Sequence, residues 1–157
     1  MCRFQAKGVY EQPIMAGLEY ALRLDDDSRF RKPIDFDLID YMRINRLVYG
    51  YVSAGYDFCI DGLWSAAHRY LADRKDTLRP TFYSQWPRGY KYNNNFELSS
   101  MALWTSPAYR DFIEYIDRLG GIYTIRWGDA PIKTIAVSIF VQENETHHFK
   151  YINYAHV

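Results

Sequence analysis

The chain has 157 residues, enough for one domain with a sizeable core, and 48% of them are hydrophobic. Nineteen basic residues balance nineteen acidic ones, so the charge excess of a general nucleic-acid binder is missing. No run approaches the roughly eighteen apolar residues that cross a bilayer. Residues 1–5 also lack signal-peptide or anchor character, so the sequence reads as soluble, untargeted and free of membrane contact of its own.

Aromatics reach 18%, fifteen of them Tyr, whose rings pack while their hydroxyls reach polar partners. Cys2 and Cys59 both sit among apolar neighbours and are open to two readings, buried free thiols or one bridge.

In chain order, residues 1–17 carry breakers at Gly8 and Pro13 and read as loop with one helical turn. Residues 18–24 form a strand that runs into three carboxylates, Asp25, Asp26 and Asp27, with Arg23 before them and Arg29 after. A basic segment, 29–33, leads into an irregular crossing. Residues 37–45 suit a short helix, and 46–53 are rich in β-formers. A helix beginning near Asp61 carries Leu63, Trp64, Ala67, Tyr70 and Leu71 on one stripe. Residues 76–92 form a long connection whose aromatics argue for order and function rather than disorder. Residues 96–99 form a short extended segment.

Ser106, Pro107 and Gly120 are the N-cap, first position and stop of the clearest helix, which turns Tyr109, Phe112, Ile113, Ile116 and Leu119 to the core. Asp129 reads as the N-cap of a helix burying Ile132, Ile135, Ala136, Ile139 and Phe140. Residues 147–154 close the chain as a strand ahead of His156. The alternation of strands and helices predicts a layered α/β domain with a mixed sheet.

Four stretches hold polar residues where core packing would not choose them. Three adjacent acids are too costly to bury, so they belong at an exposed strand end. There an Asp-x-Asp pair offers hard oxygen ligands for Mn²⁺ or Mg²⁺, although a bare acidic triplet reads first as a solvated turn. Asn93-Asn94-Asn95-Phe96-Glu97 leads amides into a carboxylate that is either solvent-facing on an edge strand or held in a cleft. Arg126-Trp127-Gly128-Asp129 is explained by helix capping alone. His156 reads first as a surface residue, yet imidazole is an acceptable third ligand beside two carboxylates. His147 and His148 read as solvated, and His68 lies off its helix's apolar stripe. No Ser/His/Asp triad, phosphate loop or zinc spacing occurs.

Taken together, Met1-Cys2-Arg3-Phe4, residues 20–30, Tyr49-Gly50, Leu63-Trp64, Asn95-Phe96-Glu97, Gly120-Gly121-Ile122-Tyr123, Arg126-Trp127-Gly128-Asp129-Ala130-Pro131 and Tyr154-Ala155-His156 resemble glycosyltransferase family 15. These are the fungal Golgi α-1,2-mannosyltransferases, and the pieces follow the family's order over essentially the whole chain. The resemblance implies the C-terminal part of a GT-A-type nucleotide-sugar transferase fold, a mixed sheet flanked by helices. It also implies a single domain over 1–157 without the N-terminal nucleotide-binding half, whose loss would leave a sheet edge and apolar surface exposed.

The implied activity is retaining transfer of mannose from GDP-mannose to a hydroxyl of a mannose-containing glycan, assisted by Mn²⁺ or Mg²⁺. By the resemblance, Glu97 and Asp129 are catalytic; Arg23, Asp25, Asp27 and Lys133 bind the donor; and Asp25, Asp27 and His156 hold the metal. Asp25 stands where the family has Glu, and Asp26, where it has Pro, is a spacer. Lys133 replaces the family's usual His, and either adds positive charge near the donor phosphates or faces solvent. The Golgi lumen follows from the family alone. The other reading is a truncated, non-catalytic relative that binds glycans or proteins.

Overall fold

A computed structural model describes residues 1–58 and 60–156; Cys59, and with it any pairing to Cys2, lies outside the described residues. Cys2 itself is a half-buried free thiol.

The chain opens with more helix than residues 1–17 suggest: α1 (Cys2–Ala6) and two 3₁₀ turns, Gly8–Glu11 and Pro13–Met15. The breakers end each piece without unwinding the segment, because Pro13 takes the first position of the second turn. Strand β1 (Tyr20–Leu24) follows, and the acidic triplet turns it back into β2 (Ser28–Phe30), where an irregular lead-in was expected. The turn closes with Ser28 N–H donating to Asp25 O at 3.0 Å.

Helix α2 (Leu38–Ile44) is capped by Asp37, whose carboxylate accepts from the N–H groups of Ile39 and Asp40. The strand expected over 46–53 shrinks to β3 (Tyr49–Tyr51), since Arg46 adopts a left-handed φ of 55° and Leu47 N–H still bonds back to Met42 O. After β4 (Ala54–Tyr56) comes α3 (Leu63–Ala72), with Leu63, Trp64, Ala67 and Tyr70 buried and His68 exposed. The long aromatic connection is ordered by packing, with Phe82 in the core and the Trp86 indole donating to Tyr90 O at 2.7 Å; its last residues form β5 (Tyr90–Tyr92).

Strand β6 (Phe96–Ser100) leads into α4 (Met101–Thr105) and α5 (Pro107–Arg118), the latter capped by the Ser106 hydroxyl accepting from Tyr109 N–H. Four of the five apolar residues expected inward on α5 are buried; Leu119, at the C-cap, is 43% exposed because the helix has already ended. A short α6 (Gly121–Thr124) precedes α7 (Asp129–Phe140). The expected closing strand is two strands, β7 (Thr146–His148) and β8 (Tyr154–His156). Phe149 plunges into the core between them, and Ile152 N–H bonds to Phe149 O, so the chain turns there.

The main sheet has order β1-β6-β3-β7, antiparallel except for the parallel β3/β7 pair. Two small ladders, β2/β8 and β4/β5, sit beside it. Side chains alternate along β6. Phe96 and Leu98 pack with Met42, Leu47 and Phe149 on one face. Glu97 and Ser99 point to the other, where α7 lies buried along most of its length over Tyr49 and Trp104. Gly50 makes this tight packing possible, since a Cβ there would stand 2.5 Å from the Phe149 ring. At the other end of the sheet β1 has no further partner among the described residues, and Leu22 and Leu24 are exposed.

Candidate active site

The β1–β6 register sets Arg23 opposite Glu97, and the β1–β2 turn that follows carries the acids. The β2/β8 ladder pairs Ser28 with His156, which brings the C-terminal histidine back over the turn. The His156 Nε2 atom lies 3.0 Å from Asp27 Oδ1 and 3.7 Å from Asp25 Oδ2. One ligand atom from each of the three residues falls within 4.8 Å of the others. Asp26, between them, is exposed and takes no part. The two carboxylates and one imidazole are hard and borderline donors on partly exposed side chains, a set that fits Mn²⁺ or Mg²⁺.

The other oxygen of Asp25 is committed elsewhere. Arg23 Nη2 and Nε donate to Asp25 Oδ1 at 3.1 and 3.3 Å, and Arg23 Nη1 donates to Asp129 Oδ2 at 2.6 Å. Asp129 is not the cap expected of it. Gly128 occupies the N-cap position, and Asp129 is the first residue of α7, free to send its carboxylate sideways to Arg23 and to the Asn94 amide at 2.7 Å. Trp127 fixes that aim: its indole donates to Asp61 O at 2.7 Å and its ring lies where a Cβ on Gly121 would overlap it at 2.4 Å. Arg126 pays for the turn with a left-handed φ of 64°.

Burial alone would raise the Asp129 carboxyl, but the Arg23 guanidinium and the Asn94 amide outweigh it and hold the group below its usual range. Burial works against the charge of Arg23 too, and Asp129 and Asp25 more than compensate.

Glu97 is not on an edge strand. It sits on β6, paired on both sides by β1 and β3, and is 2% exposed. Its carboxylate accepts from Lys133 Nζ through Oε1 and from the Tyr49 hydroxyl, at 3.1 Å, through Oε2. Lys133, expected at the donor phosphates or in solvent, is 1% exposed and turned inward onto Glu97 and the Tyr10 hydroxyl. Helix α7 is buried on all sides from Pro131 to Ile139, so position 133 has no route to water. A cavity of about 280 Å³ beside β1 is lined by Arg23, Glu97, Tyr10 and Ser99 among others. A larger one of about 710 Å³, around residues 11–19 and α4, touches none of the expected site residues.

The expected residues therefore fall into two groups bridged by Arg23 and Asp129: the exposed Asp25–Asp27–His156 cluster and the buried Glu97–Lys133 pair. Tyr10, Tyr49 and Asn94, which touch the second group or Asp129, were absent from the expected set. Asn94 stood in a conspicuous run of amides and Tyr49 in one of the family-like pieces; Tyr10 lay in the stretch read as loop.

The architecture is that of a glycosyltransferase. The chain superposes on the mannosyltransferase Ktr4p of S. cerevisiae, solved in complex with GDP, with a TM-score of 0.92 and 27% identity over 100% of this chain and 44% of that one. Core-mannan synthase A of Aspergillus fumigatus, in its Mn/GDP form, gives the same TM-score of 0.92 at 23% identity, over 100% of this chain and 47% of that one, and supports the fold alone. The chain belongs to the glycolipid 2-alpha-mannosyltransferase family, glycosyltransferase family 15, which matches residues 1–157. The alpha-1,2 mannosyltransferase KTR1 of Saccharomyces cerevisiae is 32% identical over 168 aligned residues, covering 100% of this chain and 42% of its own length. The chain thus spans less than half the length of the relatives it matches.

Proposed function

We propose that this chain carries the metal and transfer residues of a retaining mannosyltransferase that moves mannose from GDP-mannose to a hydroxyl of a mannose-containing glycan. These residues would form one domain-sized part of a GT-A-type catalytic domain. The observation that carries the reading is the convergence, at the β1 end of the sheet, of the Asp25–Asp27–His156 cluster with Arg23, Asp129 and Glu97. Family membership and the GDP complex of Ktr4p support the choice of sugar and nucleotide. The unpaired β1 edge, with Leu22 and Leu24 exposed, supports the domain reading. Family membership alone supports the Golgi lumen as its setting; no helix among the described residues is long and apolar enough to cross a membrane.

Asp25, Asp27 and His156 would hold Mn²⁺ or Mg²⁺, which when bound neutralises the leaving diphosphate. Arg23 fixes Asp25 and adds positive charge on the donor side. Asp129 holds Arg23 in place through Oδ2 and would meet the transferred sugar with its other oxygen. Glu97 acts at the anomeric carbon, either by forming a glycosyl bond as the bond to the diphosphate breaks or by balancing oxocarbenium charge. In the first case the acceptor hydroxyl then displaces Glu97 and gives its proton to the departed diphosphate, and two inversions retain configuration.

Calorimetry with GDP-mannose and Mn²⁺ tests the reading, and no binding heat at millimolar ligand would overturn it. In a chain that turns over, Glu97→Gln abolishes transfer with donor affinity nearly unchanged, whereas Asp27→Asn and His156→Ala weaken metal-dependent donor binding. Binding of a mannoside without any donor binding or turnover would favour a non-catalytic glycan-binding relative instead.

A further inference from the structure

A carboxylate as deeply buried as Glu97 takes up a proton unless a counter-charge is supplied, and a protonated carboxyl neither attacks an anomeric carbon nor balances positive charge beside it. Among the described residues, one cation is hydrogen-bonded to Glu97. Lys133 reaches Glu97 Oε1 from α7, bonds the Tyr10 hydroxyl, and places its ammonium 4.5 Å from the Trp104 ring centroid and 5.2 Å from that of Tyr10. Tyr49 completes the grip through Oε2.

The other titratable groups around the pair are Arg23 on β1, Asp129 on α7 and Tyr109 on α5. Arg23 is already bound to Asp25 and Asp129. Burial, reinforced by the Glu97 charge, holds the hydroxyls of Tyr10, Tyr49 and Tyr109 well above their ordinary range, so they act as donors and not as bases. Burial pulls the Lys133 ammonium below its ordinary range, and Glu97 offsets that only in part.

We propose, resting on the reading of Glu97 as the group at the anomeric carbon, that Lys133 is a positioning residue that keeps Glu97 ionised and fixes its aim, and is not a ligand of the donor phosphates. Lys133 and Tyr49 take one lone-pair direction on each oxygen, and no other side chain among the described residues is hydrogen-bonded to either. The cavity beside β1 runs to that carboxylate.

The test is the carboxyl ¹³C signal of Glu97 in the full chain, assigned by its loss in Glu97→Gln, together with the pH profile of kcat/KM for transfer from GDP-mannose. In the unaltered chain the signal at pH 7 is that of a carboxylate. In Lys133→Met it moves toward the protonated form, and the acid limb of kcat/KM shifts to higher pH by about one to three units. Lys133→Arg, which keeps the charge, leaves the limb near its original position, an outcome that a purely structural role does not require. An unchanged signal and limb in Lys133→Met overturns the proposal; so does weakened GDP affinity with Glu97 unaffected. Should Lys133→Met not fold, a protonated Glu97 at pH 7 in the unaltered chain overturns it and a carboxylate supports it. Absence of transfer in every variant would defeat the functional reading while the carboxyl signal still judges the pair.

Discussion

The two halves of the site are built on opposite principles. Around Glu97 the polar groups are dry and mutually partnered: Lys133, Tyr49 and Tyr10 meet inside a wall of aromatic rings, and the geometry is set by packing. Around Asp27 the side chains are nearly half exposed, and two carboxylates on the β1–β2 turn are gathered with a single imidazole on β8. The first region has its partners in place before any ligand arrives. The second has its like charges brought together by the fold, a cost that Arg23 offsets at Asp25 and that, on the proposed reading, a bound cation would offset further. The contrast separates what the chain's own folding holds in place from what a bound ion would complete.

The largest expected effect breaks the dry half. Lys133→Met leaves Glu97 buried without its cation, and truncating one partner of such a pair costs about 3–5 kcal/mol of unfolding free energy. Glu97→Gln alone should cost less, since its amide oxygen still accepts from Lys133. Adding Glu97→Gln to Lys133→Met should return most of the loss, because the remaining pair carries no charge. A urea double-mutant cycle measures the coupling. If the double variant is no more stable than Lys133→Met, the ion pair is not what ties α7 to β6.

Asp129 bridges the halves, and its variant should fall between them. Asp129→Asn weakens a charge-assisted bond to Arg23 and should cost about 1.5–3 kcal/mol at pH 7. The folded-state carboxyl lies below its unfolded value of 3.8, so the stability it contributes is fully present above that value and is lost as the pH falls through the lower folded one. The gap between the unaltered chain and Asp129→Asn should therefore narrow as the pH falls below 3.8. A gap of constant size across that window would mean that the Arg23–Asp129 bond contributes by shape alone.

Much of this was legible in the sequence, and what was not has a common physical cause. The Ser106–Pro107–Gly120 signals mark α5 because capping is local, and three adjacent acids are forced to a strand end because no core accepts them. Glu97 could not be placed, since a carboxylate between Phe96 and Leu98 has the same alternation whether it faces water or a buried ammonium. The residue that decides lies 36 positions away. A signal was nonetheless present: residues 131–139 carry no charge except Lys133, and a lone lysine inside such a run needs a buried acid. Asp129 suited a cap by position, and only Trp127, pinned to Asp61 O, shows why Gly128 takes that place. His156 was singled out through family resemblance; the turn at residues 149–152 that lets β8 lie on β2 carries no strong sequence mark.

The smallest effect belongs to the wet half in the absence of ions. Asp27 and His156 are 43% and 44% exposed, so Asp27→Asn and His156→Ala should each leave the stability of the metal-free chain within about 0.5 kcal/mol of its original value. Adding Mn²⁺ is what separates them. An ion that binds only the folded chain stabilises it by about 2.7 kcal/mol at a concentration one hundred times its dissociation constant. Thermal unfolding with and without Mn²⁺ should thus show a rise in Tm for the unaltered chain that Asp27→Asn and His156→Ala largely lose. Lys133→Met, if folded, should keep the rise, because its ammonium pairs with Glu97 and not with the cluster. An Mn²⁺-induced rise that survives in both cluster variants would place the ion elsewhere, and one that vanishes in Lys133→Met would erase the distinction between the two halves.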